Sequence, residues 1–169
     1  MDNMLRVAGI VQDSIVDGPG IRLVVFTQGC KHNCTGCHNP HTHSFKGGKL
    51  VDFESIIKMI KENPLLDGIT LSGGEPFEQA KPLAKLAERV KKLGYSIVTY
   101  TGYTYEFIER NSSEINGWTE LLDNIDVLVD GKFEIEKKNL MLKLRGSENQ
   151  RIIDVKKTKL NREIVLADI

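Results

Sequence analysis

The chain of 169 residues has few cysteines, no excess of either charge and no long apolar run. Its 23 lysine and arginine residues balance 23 aspartate and glutamate residues, so the net charge favours neither nucleic acid nor an acidic membrane as a partner. No apolar stretch is long enough to cross a bilayer, and the first ten residues lack the basic and apolar regions of a signal peptide. We therefore expect a cytoplasmic protein that binds neither nucleic acid nor membranes.

The sequence also lacks an internal repeat, a low-complexity tract and a linker rich in proline, glycine and serine. A chain of this length can bury a core without disulfides or a structural metal, and its composition is that of an ordinary globular protein. We therefore predict one domain over residues 1–169.

The only three cysteines, Cys30, Cys34 and Cys37, lie within eight consecutive residues in the spacing C-x3-C-x2-C. An odd, clustered set in a reducing compartment favours metal or redox chemistry over a disulfide framework. Iron–sulfur clusters are normally held by four cysteines. Three thiolates on a [4Fe–4S] cubane would leave the fourth iron open to an exchangeable ligand, and such an iron is a reaction site.

A zinc site is the alternative for the same loop. One imidazole would complete a tetrahedral set with the three thiolates, and the chain would then be an interaction module without catalytic activity. The residues alone leave this alternative open, since four imidazoles lie in or beside the loop: His32, His38, His41 and His43.

Strand and helix patterns alternate along the chain. Segments rich in β-branched and apolar residues predict strands at 21–28, 68–71, 95–100 and 125–129, with a further candidate at 151–155. Between them, apolar stripes of helical period predict helices, with Asp52 and Thr104 as caps. The order β-α-β-α-β-α-β predicts an α/β fold with mostly parallel strands, in which ligands bind at the carboxyl ends of the strands.

Several polar or glycine-rich motifs follow the predicted strands. Residues 73–76 (GGEP) contain two glycines that allow a backbone to lie against a ligand, although an ordinary turn is the alternative. Asp130 and Lys132 follow the fourth strand, where a site role and a solvated turn are equally good interpretations.

Two further motifs are ambiguous. Residues 17–22 (DGPGIR) precede the first predicted strand and are either an entry turn or a segment that binds a partner's backbone. Residues 145–151 (RGSENQR) are rich in side-chain donors, and a plain surface loop is the alternative to a site role.

The cysteine spacing after one strand and GGEP after the next resemble those of radical S-adenosylmethionine enzymes. The motif at residues 17–22 is similar to the signature of the activating enzymes of glycyl-radical enzymes. GCHNP at residues 36–40, RGSENQR and the short length are similar to the activators of anaerobic ribonucleotide reductases. The resemblance covers residues 7–155 and implies a partial, open (β/α) barrel of mostly parallel strands.

The resemblance also implies site residues. The cluster ligands would be Cys30, Cys34 and Cys37, and S-adenosylmethionine would contact Gly36, Cys37, His38, Gly73, Gly74 and Glu75. Asp130 and Lys132 resemble a pair that reaches this cofactor in related activases. An aromatic residue often precedes the last cysteine in the superfamily, but Gly36 stands there in this chain.

The implied activity is reductive cleavage of S-adenosylmethionine at a [4Fe–4S] cluster to methionine and a 5′-deoxyadenosyl radical, which forms a glycyl radical on an anaerobic ribonucleotide reductase. A flavodoxin- or ferredoxin-like protein would donate the electron. Activation of another glycyl-radical enzyme, such as pyruvate formate-lyase, is the alternative. The chain lacks the additional cysteines that some of those activases carry.

Overall fold

A computed structural model describes residues 3–32, 34 and 42–169. Seven strands and five α-helices are numbered here along the chain. The strands are β1 (Met4–Ser14), β2 (Arg22–Thr27), β3 (Lys49–Asp52), β4 (Gly68–Gly73), β5 (Ser96–Tyr100), β6 (Val127–Asp130) and β7 (Arg151–Asp154). The helices are α1 (Phe53–Glu62), α2 (Ala80–Lys92), α3 (Tyr105–Asn111), α4 (Trp118–Asp123) and α5 (Val155–Asn161).

All seven strands form one open sheet in the order β3-β1-β2-β4-β5-β6-β7. The neighbours β2, β4, β5 and β6 pair in parallel, whereas β1 and β7 run antiparallel to them. The predicted α/β fold, an open partial barrel of mostly parallel strands, is therefore confirmed. The assignment of residues 1–169 to one domain stays a prediction, supported by the continuous sheet.

The predicted helix caps are confirmed. Asp52 accepts a hydrogen bond from the N–H of Glu54 at the start of α1, and Thr104 accepts one from the N–H of Phe107 at the start of α3. The sequence interpretation missed β1 and β3, which pair with each other at one side of the sheet. Neither has a sustained two-residue apolar alternation, and several of their residues are exposed.

The core lies between one face of the sheet and the helices. Leu23, Val25, Ile69 and Leu71 point to this face from β2 and β4 and pack in one cluster with the apolar stripes of α1 and α2. Alternate residues of the same strands point to the other face. No helix in the described part of the chain has the length and apolar character to span a bilayer.

The segment between β1 and β2 covers the amino ends of the parallel strands on this second face. Arg22 is 1% exposed, and its guanidinium donates to the hydroxyl of Thr70 (2.9 Å) and to the carbonyl oxygens of Pro19 (3.0 Å), Ile69 (2.8 Å) and Ser96 (2.8 Å). Burial lowers the pKa of Arg22 below its ordinary value, against the opposing effect of Asp67. Arg22 therefore connects three elements, and its donors face protein acceptors.

Replacing Arg22 with lysine is expected to lower the free energy of unfolding by about 1–3 kcal/mol. An ammonium group cannot reach the four partners that the planar guanidinium contacts, so buried carbonyl oxygens lose donors. Urea unfolding near neutral pH measures the change. Arg6→Lys is the matched control, because Arg6 is half-buried and its side chain donates to Gly47 at 3.2 Å. Equal losses in the two variants would contradict this role of Arg22.

Candidate active site

A cavity of about 500 Å³ opens at the carboxyl ends of the parallel strands, on the face opposite the core. Phe26, Ser72 and Tyr100 line it from β2, β4 and β5, and Gly131 lines it just after β6. Its volume lies within the range of roughly 300–1,000 Å³ typical of small-molecule sites. The position agrees with the rule that ligands bind where parallel strands end.

The cysteine loop starts three residues after β2, and hydrogen bonds close its base. The N–H of Gly29 donates to the carbonyl of Thr42 at 2.6 Å, and the N–H of Cys30 donates to that of His43 at 3.1 Å. The carbonyl of Gly29 accepts from the N–H of Glu75 at 2.8 Å. The two ends of the loop are thus joined to each other and to the segment that follows β4.

Cys30 and Cys34 are half-buried, and both line the cavity. Cys37, Gly36 and His38, which the sequence interpretation assigned to the cluster or to S-adenosylmethionine, lie outside the described residues. The structure therefore places two of the three cysteines at the carboxyl ends of the parallel strands, where the sequence predicts ligands to bind.

The two glycines of the GGEP motif lie on the cavity wall and allow close backbone packing. Gly73 has φ of +94°, and a Cβ there would lie 2.4 Å from the backbone nitrogen of Thr27. A Cβ on Gly74 would lie 2.5 Å from the carbonyl oxygen of Gly29. Both positions therefore require glycine whether or not a ligand binds, because the backbone of Gly73 lies against β2 and that of Gly74 lies against Gly29 at the base of the cysteine loop.

Glu75 is fully buried and binds donors from three segments. Its Oε1 accepts from the N–H of Gly102 (2.8 Å) and lies 2.6 Å from Nε2 of His32. Its Oε2 accepts from the N–H of Phe77 (3.0 Å), and the hydroxyl of Thr101 donates to the carboxylate at 2.9 Å. Glu75 thus connects the cysteine loop to the ends of β4 and β5. It is not one of the described residues that line the cavity.

His32 lies inside the cysteine loop and packs against this carboxylate. Because a carboxylate only accepts hydrogen bonds, Nε2 of His32 donates to Glu75. The ring also meets the edge of Tyr103, with centroids 4.5 Å apart, and a Cβ on Gly102 would lie 2.5 Å from it. The sequence interpretation considered His32 only as a zinc ligand and missed this anchoring contact, which no local pattern signals.

Two tyrosines near the cavity stay protonated at neutral pH. Burial, with a further effect from Asp17, raises the pKa of Tyr100 well above its ordinary value. Burial and the hydrogen bond to Glu78 also raise the pKa of Tyr103 above its ordinary value. Tyr100 and Asp17 both line the cavity, so residues 17–22 contribute Asp17 to the site and Arg22 to the structure beneath it.

Asp130 and Lys132 lie near the cavity, but neither is one of the described residues that line it. Asp130 is buried, accepts from the N–H of Tyr105 (2.8 Å), and pairs with the guanidinium of Arg151 (2.5 Å). Hydrogen bonds to Asp130 and Glu106 raise the pKa of Arg151. Lys132 is exposed. The contact of these two residues with S-adenosylmethionine stays a prediction.

The hydrogen bond from Arg151 lowers the pKa of Glu106 in the folded protein. The ionised carboxylate therefore stabilises the fold at pH values above its unfolded-state pKa. This stabilisation is lost as the pH falls through the folded-state pKa. Its side chain is mostly exposed. We therefore expect Glu106→Gln to cost less than about 1 kcal/mol near neutral pH. The difference from wild type should shrink as the pH falls through the lowered folded-state pKa, and it should vanish at an acidic pH below that pKa.

Urea unfolding of the metal-free protein at both pH values measures this effect. Glu114→Gln is the control, since Glu114 is exposed and forms no ion pair among the described residues. A Glu106→Gln deficit that persists at the acidic pH would show that the ion pair is not its cause.

The RGSENQR segment forms part of the cavity wall. Gln150 accepts from the N–H groups of Gly146 (2.8 Å) and Ser147 (3.1 Å) and donates to the carbonyl of Gly131 (3.0 Å). Arg145 donates to the carbonyl of Gln150 at 2.5 Å and lines the cavity. The density of donors noted in the sequence therefore serves to attach this segment to the end of β6.

The residues present fit an iron–sulfur cluster with a small polar cofactor beside it. Cys30 and Cys34 supply soft thiolate ligands at the wall of a cavity large enough for such a cofactor. His43 also lines the cavity, and its Nε2 is buried with no hydrogen-bond partner among the described residues. A bound group that carries a hydrogen-bond donor or acceptor would satisfy this atom.

Comparisons with known proteins agree with this geometry. The sequence family described as a 4Fe-4S single cluster domain matches residues 16–153. The anaerobic ribonucleoside-triphosphate reductase-activating protein of Enterobacteria phage T4 is 34% identical over 145 residues, which cover 81% of this chain and 86% of the phage protein. The protein of the same name from Vibrio cholerae serotype O1 is 38% identical over 144 residues, which cover 80% of this chain and 89% of that protein.

The pyruvate formate-lyase-activating enzyme of Clostridium pasteurianum is 38% identical over 125 residues, which cover 70% of this chain and 51% of that enzyme. The similarity to the reductase activators spans most of both chains, whereas the similarity to the lyase activator covers about half of that enzyme. The family match favours a [4Fe–4S] cluster over the zinc alternative. By this similarity the chain belongs to the 4Fe-4S single cluster domain family and, within it, to the anaerobic ribonucleoside-triphosphate reductase-activating proteins.

Proposed function

We propose that this protein activates an anaerobic ribonucleoside-triphosphate reductase by generating a glycyl radical on it. The observation that carries the proposal is the similarity to activators of this reductase over about four fifths of the chain. The cavity supports it, because it brings Cys30, Cys34 and two backbone glycines together at the carboxyl ends of parallel strands.

In this proposal Cys30, Cys34 and Cys37 hold the [4Fe–4S] cluster. S-adenosylmethionine contacts Gly36, Cys37, His38, Gly73 and Gly74, with Glu75, Asp130 and Lys132 as further candidates. When bound, the two cofactors supply a one-electron reductive cleavage of S-adenosylmethionine to methionine and a 5′-deoxyadenosyl radical, which removes a hydrogen atom from a glycine of the reductase.

The described residues would position the cofactors at the cavity wall. The Glu75–His32 bond and the closed base of the cysteine loop keep Cys30 at the cavity wall, which limits the reorganisation needed when the cluster binds. Phe26 and Tyr100 cover part of the wall with aromatic rings. Since the Tyr100 phenol stays protonated, it adds no charge to the cavity wall.

The protein substrate and the electron donor reach the site from outside the chain. The reductase must present its glycine at the open side of the cavity, because a radical acts only on an atom in contact with it. We propose a flavodoxin- or ferredoxin-like protein as electron donor, since a single-cluster protein needs an external one-electron source.

The test uses protein reconstituted with iron and sulfide under anaerobic conditions. With a chemical reductant and S-adenosylmethionine we expect 5′-deoxyadenosine, and with the reductase from the same organism we expect a glycyl-radical EPR signal. Reduced, fully loaded protein that forms no 5′-deoxyadenosine would contradict the proposal.

Activation of pyruvate formate-lyase is the second candidate, because the Clostridium pasteurianum enzyme is 38% identical to this chain. The chain spans only 51% of that enzyme, which makes this candidate the weaker one. A glycyl-radical signal on pyruvate formate-lyase but not on the reductase would reverse the order of the two.

A further inference from the structure

An exposed apolar loop lies beside the cavity. It comprises residues 139–146 (NLMLKLRG), and it is called the apolar loop here. The side chains of Leu140 and Met141 are 85% and 89% exposed. Single exposed apolar residues are common on protein surfaces, but adjacent large ones at the opening of a site mark an interaction surface.

Hydrogen bonds at its base hold the apolar loop in place. The N–H of Asn139 donates to the carbonyl of Gly146 at 3.2 Å, and Lys138 pairs with Ser147 in an isolated antiparallel bridge. Gln150 and Arg145 attach the same base to the end of β6, as described above. The loop therefore presents its tip from a fixed position, which reduces the ordering cost of binding a partner.

Backbone strain within the loop supports a functional role. Leu144 has φ of +64°, a left-handed conformation that is rare for a residue with a branched side chain. Such conformations persist where the surrounding structure enforces them, and they concentrate at functional sites. In this conformation the side chains of Leu142 and Leu144 line the cavity.

A second apolar segment lines the same cavity. Ile15 and Val16, in the segment that follows β1, both have largely exposed side chains, and Val16 is part of the cavity wall. Two segments more than a hundred residues apart in sequence thus present apolar side chains beside one opening. A partner that covered this opening would bury both.

The charge of the apolar loop and its flank indicates what kind of partner fits. The apolar loop contains two cationic residues and no acidic residue, and its flank carries Lys137 and Lys138 together with Glu134 and Glu136. Lys137 pairs with Glu134 at 3.8 Å, whereas Lys138 and Lys143 form no ion pair in the described part of the chain. The matching surface is therefore apolar at its centre and carries carboxylates at its rim.

We propose that the apolar loop, together with Ile15 and Val16, is the docking surface for the reductase. A segment of the reductase with apolar and acidic side chains binds there and brings the reacting glycine to the cavity. This inference rests on the proposed function, because that function requires a protein substrate at this opening. A second copy of this chain is the competing occupant.

The test compares two double variants in anaerobically reconstituted protein. Leu140→Ser with Met141→Ser changes the apolar loop, and Ile115→Ser with Leu160→Ser changes two similarly exposed residues (84% and 83%), one between α3 and α4 and one on α5. We expect the loop variant to bind the labelled reductase at least about 10-fold more weakly and the control to bind like wild type. Both should form 5′-deoxyadenosine without the reductase at the wild-type rate.

Charge is tested in the same assay. Lys143→Glu should weaken binding, and the deficit should shrink as salt is added, because added ions screen exposed charges. Lys156→Glu, on α5, reverses an exposed charge away from the cavity lining and should bind like wild type.

Wild-type affinity in the loop variant would overturn the docking surface. So would a loop variant that loses only self-association, measured by analytical ultracentrifugation, and keeps its affinity for the reductase. If the wild-type protein binds the reductase through the apolar loop but forms no 5′-deoxyadenosine, the proposed function fails while the docking surface stands. If the wild-type protein does not bind the reductase, the docking surface fails.

Discussion

Protein in which Cys34 is replaced with serine is expected to form no measurable glycyl radical on the reductase. Cys34 lies at the cavity wall, and a serine hydroxyl is a poor ligand for iron at neutral pH. Loss of a direct ligand should exceed the roughly 10- to 100-fold effects that follow from changes to outer-shell partners. Iron content per chain, 5′-deoxyadenosine yield and the EPR signal are measured after anaerobic reconstitution.

The cysteine variant needs a control for folding, because a misfolded protein would also lose activity. Cys34 is half-buried and lies outside the core cluster, so the metal-free variant should unfold at the same urea concentration as the metal-free wild type. A variant that keeps the wild-type iron content and radical yield would rule out Cys34 as a cluster ligand.

Replacing Glu75 with alanine is expected to lower the free energy of unfolding by about 3–5 kcal/mol. The change leaves Nε2 of His32 and the N–H groups of Phe77 and Gly102 without their acceptor in a buried environment. Removing this carboxylate also releases His32, and with it the cysteine loop. Iron retention should therefore fall by about 10- to 100-fold.

Glu78→Ala is the matched control for this variant. Glu78 follows three residues later, accepts one hydrogen bond from the hydroxyl of Tyr103 (2.7 Å) and pairs with the exposed Lys31. Its loss should cost at most about 1.5 kcal/mol. Glu75→Gln keeps one oxygen acceptor and should lie between wild type and Glu75→Ala. Equal effects of Glu75→Ala and Glu78→Ala on urea unfolding and iron retention would show that the buried contacts of Glu75 do not anchor the loop.

The parts of the fold that were predictable depend on local patterns. The strands β2, β4, β5 and β6 are buried on both faces, so each reads as a short apolar segment. The caps at Asp52 and Thr104 satisfy backbone groups within three residues of themselves. Such features can be recognised from neighbouring residues, because an apolar segment and a helix cap each involve only a few consecutive residues.

The strands β1 and β3 and the helix α5 were not predictable in the same way. β3 has four residues, most of them exposed, and it becomes a strand by pairing with β1. α5 follows Asp154, which caps it, in a basic segment whose helical stripe is too short to recognise. For β1 and β3 the decisive contacts are with distant residues, and a single sequence does not record which distant residues meet.

The amino-acid sequence by itself determined the chemistry: three thiols at cluster spacing, glycines after the second predicted strand and an α/β order that brings both to one edge of a sheet. The tertiary structure decided the roles. It assigns Arg22 and Glu75 to buried hydrogen bonds, attaches RGSENQR to the cavity wall and exposes Leu140 and Met141 beside the opening. The physical reason is that ligand chemistry depends on residue type and short spacing, whereas burial and hydrogen-bond partners depend on segments that meet only when the chain folds.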